Sequence, residues 1–272
     1  MSGRTPPPNG VDEAGAPDQH ALVPRSLSLV LPAFDEARSI VAVVEEAHRA
    51  LSAARLRFEI VVVDDGSTDE TSRLVTELAA SLADVRLVRL PENRGYGAAL
   101  RAGFAAARMD AVGYMDSDGQ LDPADVVALI DALGHAELAA GVRAHRAEGP
   151  LRWALSRAYN GLATRTLGIE ASDLNCALKV VRREVIDLVT PRTDGYLGGA
   201  EIVARARVRG LRVAEILVRH RPRLHGRSKV TVRRSLAALV ELASLRGRLL
   251  EAGRAVPRSE PPSHPSSHFD AN

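Results

Sequence analysis

Three apolar runs in the first half of the chain, "SLSLVLPAF" (26–34), "FEIVVVDD" (58–65) and "AVGYMDSD" (111–118), are separated by stretches whose apolar residues recur at helical spacing. A shorter run, "VRLVRL" (85–90), lies between the last two. A continuous β-branched run such as 58–65 reads as a strand covered on both faces. Strands that alternate with helices are joined by crossovers, which lay successive strands parallel. The pattern predicts an α/β fold: a doubly wound, mainly parallel (mixed) sheet flanked by helices in a single domain. Ligands of such sheets bind at the carboxyl ends of the strands.

Local signals mark the helices. "EARSIVAVVEEAHRAL" follows the first strand, and Ser67 with Glu70 fits a capping box that opens the next helix. A Gly-rich turn precedes "GAALRAGFAAARM", and Asp122 reads as an N-cap with Pro123 in the first helical position. Residues 1–24 and 255–272, rich in Pro with Gly, Ala or Ser, read as disordered tails around a folded unit at 25–230. Residues 231–254 space apolar and basic side chains as in an amphipathic helix, suited to a lipid interface or to a protein surface.

Composition excludes several classes. The single cysteine, Cys176, allows no internal disulfide, suits a reducing compartment and reads as a small buried apolar residue. No stretch reaches the roughly 18–20 apolar residues of a membrane span, so the reading is cytoplasmic, with peripheral contact at the membrane face. The formal net charge is only +2, yet residues 219–234 hold seven Arg or Lys and no acid. No aromatics interleave with these bases to stack nucleobases, so a phosphate-rich site or an anionic membrane is the better partner.

Acidic pairs end three predicted strands: Asp35/Glu36, Asp64/Asp65 and Asp116/Asp118. Alternation along extended backbone would send Asp116 and Asp118 the same way, at a repulsive cost of about 4 kcal/mol near 4 Å. A bound cation would offset it. An EF-hand is excluded because Val127 stands at the twelfth position. "GYGAAL" (95–100) lacks the third glycine of a dinucleotide fingerprint, and no Walker loop is present. Two carboxylates without an all-protein cage suit Mg²⁺ or Mn²⁺ shared with water and a diphosphate.

The segments "LVLPAFDE", "VVVDDGSTDET", "NRGYGAALRAGF" and "YMDSDGQLDP" resemble, in order and spacing, family 2 glycosyltransferases of the GT-A fold. "GVR", "DLNCALKVVRREV" and "AEILVRHRPRLHGRSK" resemble the branch of dolichol-phosphate mannose synthase and related polyprenyl-phosphate sugar synthases. The likeness covers about residues 26–230. It implies a metal-dependent, inverting transfer of a sugar from a GDP- or UDP-sugar to a dolichyl- or undecaprenyl-type phosphate. By the same resemblance Pro32, Asp35, Glu36 and Asp65 line the nucleotide pocket, and Asp116 and Asp118 hold the metal and diphosphate beside Gln120. Asp35 stands where many relatives carry Asn, which removes a hydrogen-bond donor. Arg143, Arg152 and Ser156 face the acceptor phosphate, while Arg223 and Lys229 close over the donor phosphates; Asp118, Arg143 and Arg223 carry catalysis.

Two rival readings follow from the same residues. A transferase acting on an alcohol needs a carboxylate base, for which Asp173 and Glu201 are the candidates. A catalytically silent scaffold would keep the fold without the chemistry. A processive synthase is disfavoured because Gly149 replaces the Gln of its Gln-x-x-Arg-Trp signature. The partners expected are the nucleotide sugar, the polyprenyl phosphate and a membrane surface or membrane protein, and no nucleic acid.

Overall fold

The computed structural model describes residues 23–143, 161 and 172–222. In chain order these form Ser26–Ala33 (β1), Ile40–Ala53 (α1), Arg57–Asp64 (β2), Thr71–Ser81 (α2), Val85–Arg89 (β3), Tyr96–Ala106 (α3) and Ala111–Tyr114 (β4). A 3-10 turn at Pro123–Asp125 then leads into Val126–Ala132 (α4), followed by Leu138–Arg143 (β5) and Lys179–Arg182 (β6). The last elements are Ile186–Val189 (α5), Gly198–Val208 (α6) and Val213–Val218 (β7). Among the described residues, seven strands make one sheet in the order β3-β2-β1-β4-β6-β5-β7. Every pairing is parallel except those of β6, which runs against both β4 and β5. The carboxyl ends of the other six strands and the amino end of β6 therefore share one edge.

Both faces of the sheet are covered, and alternation along the strands assigns residues to them. Phe58, Ile60 and Val62 of β2 pack into the layer with α1, α2 and α4, whereas Val61 and Val63 pack into the layer with α3, α5 and α6. That double burial is what the unbroken β-branched run foretold. Asp122 does cap the turn before α4, its Oδ1 accepting from the N–H of Ala124 at 3.0 Å. The expected Ser67–Glu70 capping box does not form. Ser67 Oγ accepts from the Asp35 N–H at 2.9 Å, and Asp69 accepts from the Thr71 N–H at 2.9 Å. A carboxylate two residues before the free N–H is the nearer partner, which releases the serine to tie two loops together.

At the opposite edge of the sheet Glu59 ties together β1, β3 and the turn before β4. It accepts from Ser28 Oγ at 2.6 Å, from the Arg108 N–H at 2.8 Å and from Arg86 Nη2 at 2.9 Å. Burial pushes its carboxyl up, but the bonds from Ser28, Arg86 and Arg108 together outweigh burial and hold it below its ordinary value. Folded Glu59 thus contributes stability that is present above the unfolded pKa and is lost as pH falls through the folded one. Glu59→Gln should cost about 1.5–3 kcal/mol at neutral pH. In denaturant melts, the gap between wild type and variant should shrink steadily as pH drops below about 4.5. A gap independent of pH would contradict this charge assignment.

Candidate active site

The chain leaves β1 to build β2 and β3 on one side, then returns to build β4 on the other. The strand order therefore reverses between β1 and β4, and the crevice expected beyond the carboxyl ends at such a switch point is where open α/β sheets bind ligands. Ser117 spans it, donating its hydroxyl to the Pro32 carbonyl at 2.8 Å. On the β1 side Asp35 has a positive φ of 49°, a conformation that Asp and Asn tolerate best among residues with a side chain. Its Oδ1 accepts from the Thr68 N–H at 2.8 Å, an acceptor role that Asn would fill equally. Glu36 donates its N–H to Thr71 Oγ1 at 2.9 Å and accepts from Ser39 Oγ at 2.9 Å.

The acidic pairs stand along one edge as expected, but they do not converge into a single cation nest. Asp64 is fully buried and receives the Ser67 N–H and the Ser72 hydroxyl. Asp65 accepts the N–H groups of Arg94 and Gly95, one on each oxygen, both at 2.8 Å. Burial pushes its carboxyl up despite those bonds. Among the described residues no three His, Cys, Asp or Glu side chains form a metal-binding group. The loops consume these acids because they must hold their backbones without regular structure.

Asp116 and Asp118 remain as a pair, placed differently from the alternation argument. The strand stops at Tyr114, and the chain turns through residues 117–119, with Gly119 at a φ of 75°. Alternation holds only for extended backbone, so the turn, not the pleat, sets their directions. Asp116 Oδ1 accepts from the Tyr96 hydroxyl at 2.9 Å, and Asp118 Oδ1 accepts from the Gln120 N–H at 3.0 Å. Burial, then the Asp116 charge, pushes the Tyr96 phenol well above its ordinary range, with Asp118 adding to the shift. Both carboxylates therefore act on the same corner, and Tyr96 stays protonated and donating. Two carboxylates of this kind fit a hard divalent ion that takes its other ligands from water and phosphate.

Arg143 ends β5, two strands from β4 and so about 10 Å away across the sheet. Its guanidinium is forked onto Asp173, Nε to Oδ2 at 2.7 Å and Nη2 to Oδ1 at 2.9 Å. Between the two strands lies a residue that sequence reading passed over. Lys179, the first residue of β6, is in register with Tyr114 on one side and Ala140 on the other. Its fully buried ammonium donates to Tyr114 Oη at 3.0 Å and to the carbonyls of Leu174 and Cys176. Burial brings its pKa down to about 8. A lysine at the head of the apolar run "KVVR" was the available signal. Cys176 is buried, as expected.

The two candidate bases are both engaged in ion pairs. Asp173 holds Arg143, and Glu201 accepts from the Thr193 N–H and hydroxyl at 2.9 and 2.8 Å while pairing with Arg205 at 3.5 Å. Gln120 pairs with the backbone of Arg221, its carbonyl accepting the Arg221 N–H at 2.7 Å. Arg221 also salt-bridges Glu46 and Asp122. The segment leaving β7 is thereby fixed beside the Asp116–Gln120 turn. Arg152, Ser156, Arg223 and Lys229, the 231–254 helix and both expected tails beyond residues 23–24 lie outside the described residues.

The sequence pattern described as glycosyl transferase family 2 matches residues 28–189, which span β1 to α5 and include both Asp116 and Asp118. The chain belongs to glycosyl transferase family 2. Within the family, a dodecaprenyl-phosphate galacturonate synthase of Rhizobium johnstonii is 34% identical over 228 residues, 80% of this chain and 66% of that protein. An undecaprenyl-phosphate 4-deoxy-4-formamido-L-arabinose transferase of Pseudomonas fluorescens is 32% identical over 221 residues, 79% and 63% of the two chains. This chain thus spans slightly less than two thirds of either relative. The fold is shared with glucosyl-3-phosphoglycerate synthase from Mycobacterium tuberculosis, solved with Mn²⁺, UDP and its product. That structure aligns with a TM-score of 0.61 at 24% identity, over 86% of this chain and 82% of that one. The same enzyme has also been solved with Mg²⁺ and UDP, with a TM-score of 0.60 at 22% identity over 86% and 81% of the two chains. The mixed, mostly parallel sheet is accordingly of the GT-A type.

Proposed function

We propose that this family 2 glycosyltransferase moves a sugar, with inversion, from a nucleoside-diphosphate donor to a polyprenyl phosphate. The observation that carries the reading is the layout of one sheet edge. A carboxylate pair follows β4 at the β1/β4 switch point, and an arginine fixed by Asp173 ends β5, two strands or about 10 Å across the sheet. That spacing suits a sugar diphosphate at one end and a second phosphate at the other. Asp173 orients the Arg143 guanidinium through two bonds, and a planar fork of N–H donors suits phosphate oxygens. A phosphate oxygen is anionic at neutral pH, so the acceptor needs no carboxylate base, and the ion-paired state of Asp173 and Glu201 disfavours the alcohol reading. Catalysis then rests on alignment and on stabilising the departing diphosphate.

Asp116 and Asp118 would hold Mg²⁺ or Mn²⁺, which when bound screens the diphosphate from these carboxylates and stabilises it as it leaves. Pro32, Asp35, Glu36 and Asp65 would frame the nucleotide, with Gln120 beside the metal pair. Arg152 and Ser156 would join Arg143 at the acceptor, and Arg223 and Lys229 would meet the donor phosphates; Arg223 follows the fixed Arg221 by two residues. No helix among the described residues is long and apolar enough to cross a membrane. The apolar and basic spacing of residues 231–254 supports peripheral contact there, which would bring the enzyme to its lipid. The test is incubation of the purified chain with Mg²⁺ or Mn²⁺, radiolabelled UDP- and GDP-sugars, and undecaprenyl phosphate. Formation of an acid-labile glycolipid is the expected result. Transfer only to water-soluble acceptors would overturn the assignment.

A further inference from the structure

Two contacts from Asp116, by way of Tyr96, stands an aromatic ring with no assigned role. Tyr196 is 44% exposed, in a chain with only 4 Tyr, 4 Phe and 1 Trp. Its ring stacks on that of Tyr96, with centroids 6.5 Å apart and planes within 12°. Tyr96 in turn donates its hydroxyl to Asp116 at 2.9 Å.

The loop that carries Tyr196 is anchored against the Gly-rich turn before α3. The Gly97 N–H donates to the Asp194 carbonyl at 2.8 Å, and Arg101 donates to the Thr193 carbonyl at 3.0 Å and pairs with Asp194. A Cβ on Gly97 would collide with the Thr193 carbonyl and one on Gly95 with that of Asp194, so both glycines are needed for this approach. Glu201 fixes Thr193 from the other side. The Tyr196 ring is thus held on a braced loop with part of its surface open to solvent.

We infer that Tyr196 is a specificity-determining residue: its ring is the platform for the pyranose ring of the donor, whose diphosphate is held at Asp116 and Asp118. The inference rests on the proposed function. The face of a phenol ring is electron-rich, and the C–H bonds on one face of a pyranose carry partial positive charge. A sugar one diphosphate away from the Asp116 corner is within reach of a ring two contacts from that carboxylate. Tyr96 sets the tilt of the platform, and its bond to Asp116 keeps sugar and diphosphate subsites in register.

Titration calorimetry of the full chain with Mn²⁺ tests this, using UDP, GDP, UDP-glucose, UDP-glucuronate and GDP-mannose as probes. Tyr196→Ala should weaken the tightest sugar nucleotide by about two- to tenfold, and leave the Kd of the matching nucleoside diphosphate unchanged. Tyr196→Phe should bind both as wild type does, because the ring face and not the hydroxyl is used. Unchanged diphosphate binding also reports that the variant is folded. Equal weakening of sugar nucleotide and diphosphate, no effect on either, or loss of sugar binding in Tyr196→Phe would overturn the platform alone. Failure of every probe to bind wild type would overturn the nucleotide-sugar reading and the platform with it.

Discussion

Asp118→Asn is expected to lower sugar transfer by about 100- to 1,000-fold, the range seen when one preorganised electrostatic contact to a reacting group is removed. The substitution keeps the hydrogen bond that shapes the turn. Asp118 accepts the Gln120 N–H through Oδ1 at 3.0 Å, and an asparagine keeps an oxygen in that place. The turn through Gly119 and the Gln120–Arg221 pairing should survive, so the melting temperature should stay within a few degrees. What is lost is one negative charge of the pair proposed to hold the divalent ion. Wild-type enzyme in excess chelator should fall to a comparable residual rate and recover on addition of Mn²⁺ or Mg²⁺. Full activity of the variant, or of wild type in chelator, would show that the pair has another purpose.

The features legible in the sequence are those whose cause is local. The β-branched run of β2 is buried on both faces, and the cap at Asp122 forms where Asp-Pro placed it, because each depends on residues within a turn or on the parity of a strand. The ligand edge followed from the same logic, since crossovers that lay strands parallel bring their carboxyl ends to one side, whereas the reversal of order at β1 came only from the fold. The capping box failed for a related reason. Ser67 had a partner 32 residues away in the Asp35 N–H, and no sequence pattern announces that partner.

What was hidden is the pairing across distance. Asp173 and Glu201 carried no sign of their partners, and only the sheet brings Asp173 to Arg143 across 30 residues. The antiparallel β6 is four residues long, too short to show a period, yet it inserts between the strands that carry the two halves of the proposed reaction. The acidic pairs do not all have the same work, for a physical reason. Carboxylates at strand ends are as useful for satisfying loop N–H groups as for holding cations, and three of those beyond the Asp116 turn, Asp35, Asp64 and Asp65, accept such groups.

Lys179→Met should destabilise the protein by about 2–5 kcal/mol and loosen the acceptor side of the site in particular. Methionine fills the volume but leaves the carbonyls of Leu174 and Cys176 and the Tyr114 hydroxyl without the ammonium that now joins them. Asp173 begins the loop that those carbonyls anchor, and Asp173 orients Arg143. The apparent KM for polyprenyl phosphate should therefore rise more than that for the nucleotide sugar. The charge leaves a second signature. Burial disfavours the charge of folded Lys179 and lowers its pKa from the ordinary 10.5 to about 8. Between those two values the unfolded chain holds a proton that the folded one has released, so this group makes stability rise with pH across that window. Below about 8 lysine is charged in both states and contributes no pH dependence. Melts of wild type and Lys179→Met should run parallel from pH 6 to 7.5 and diverge above pH 8, with wild type gaining. Parallel curves throughout, together with equal changes in both KM values, would reduce Lys179 to an ordinary packed side chain with no hold on Arg143.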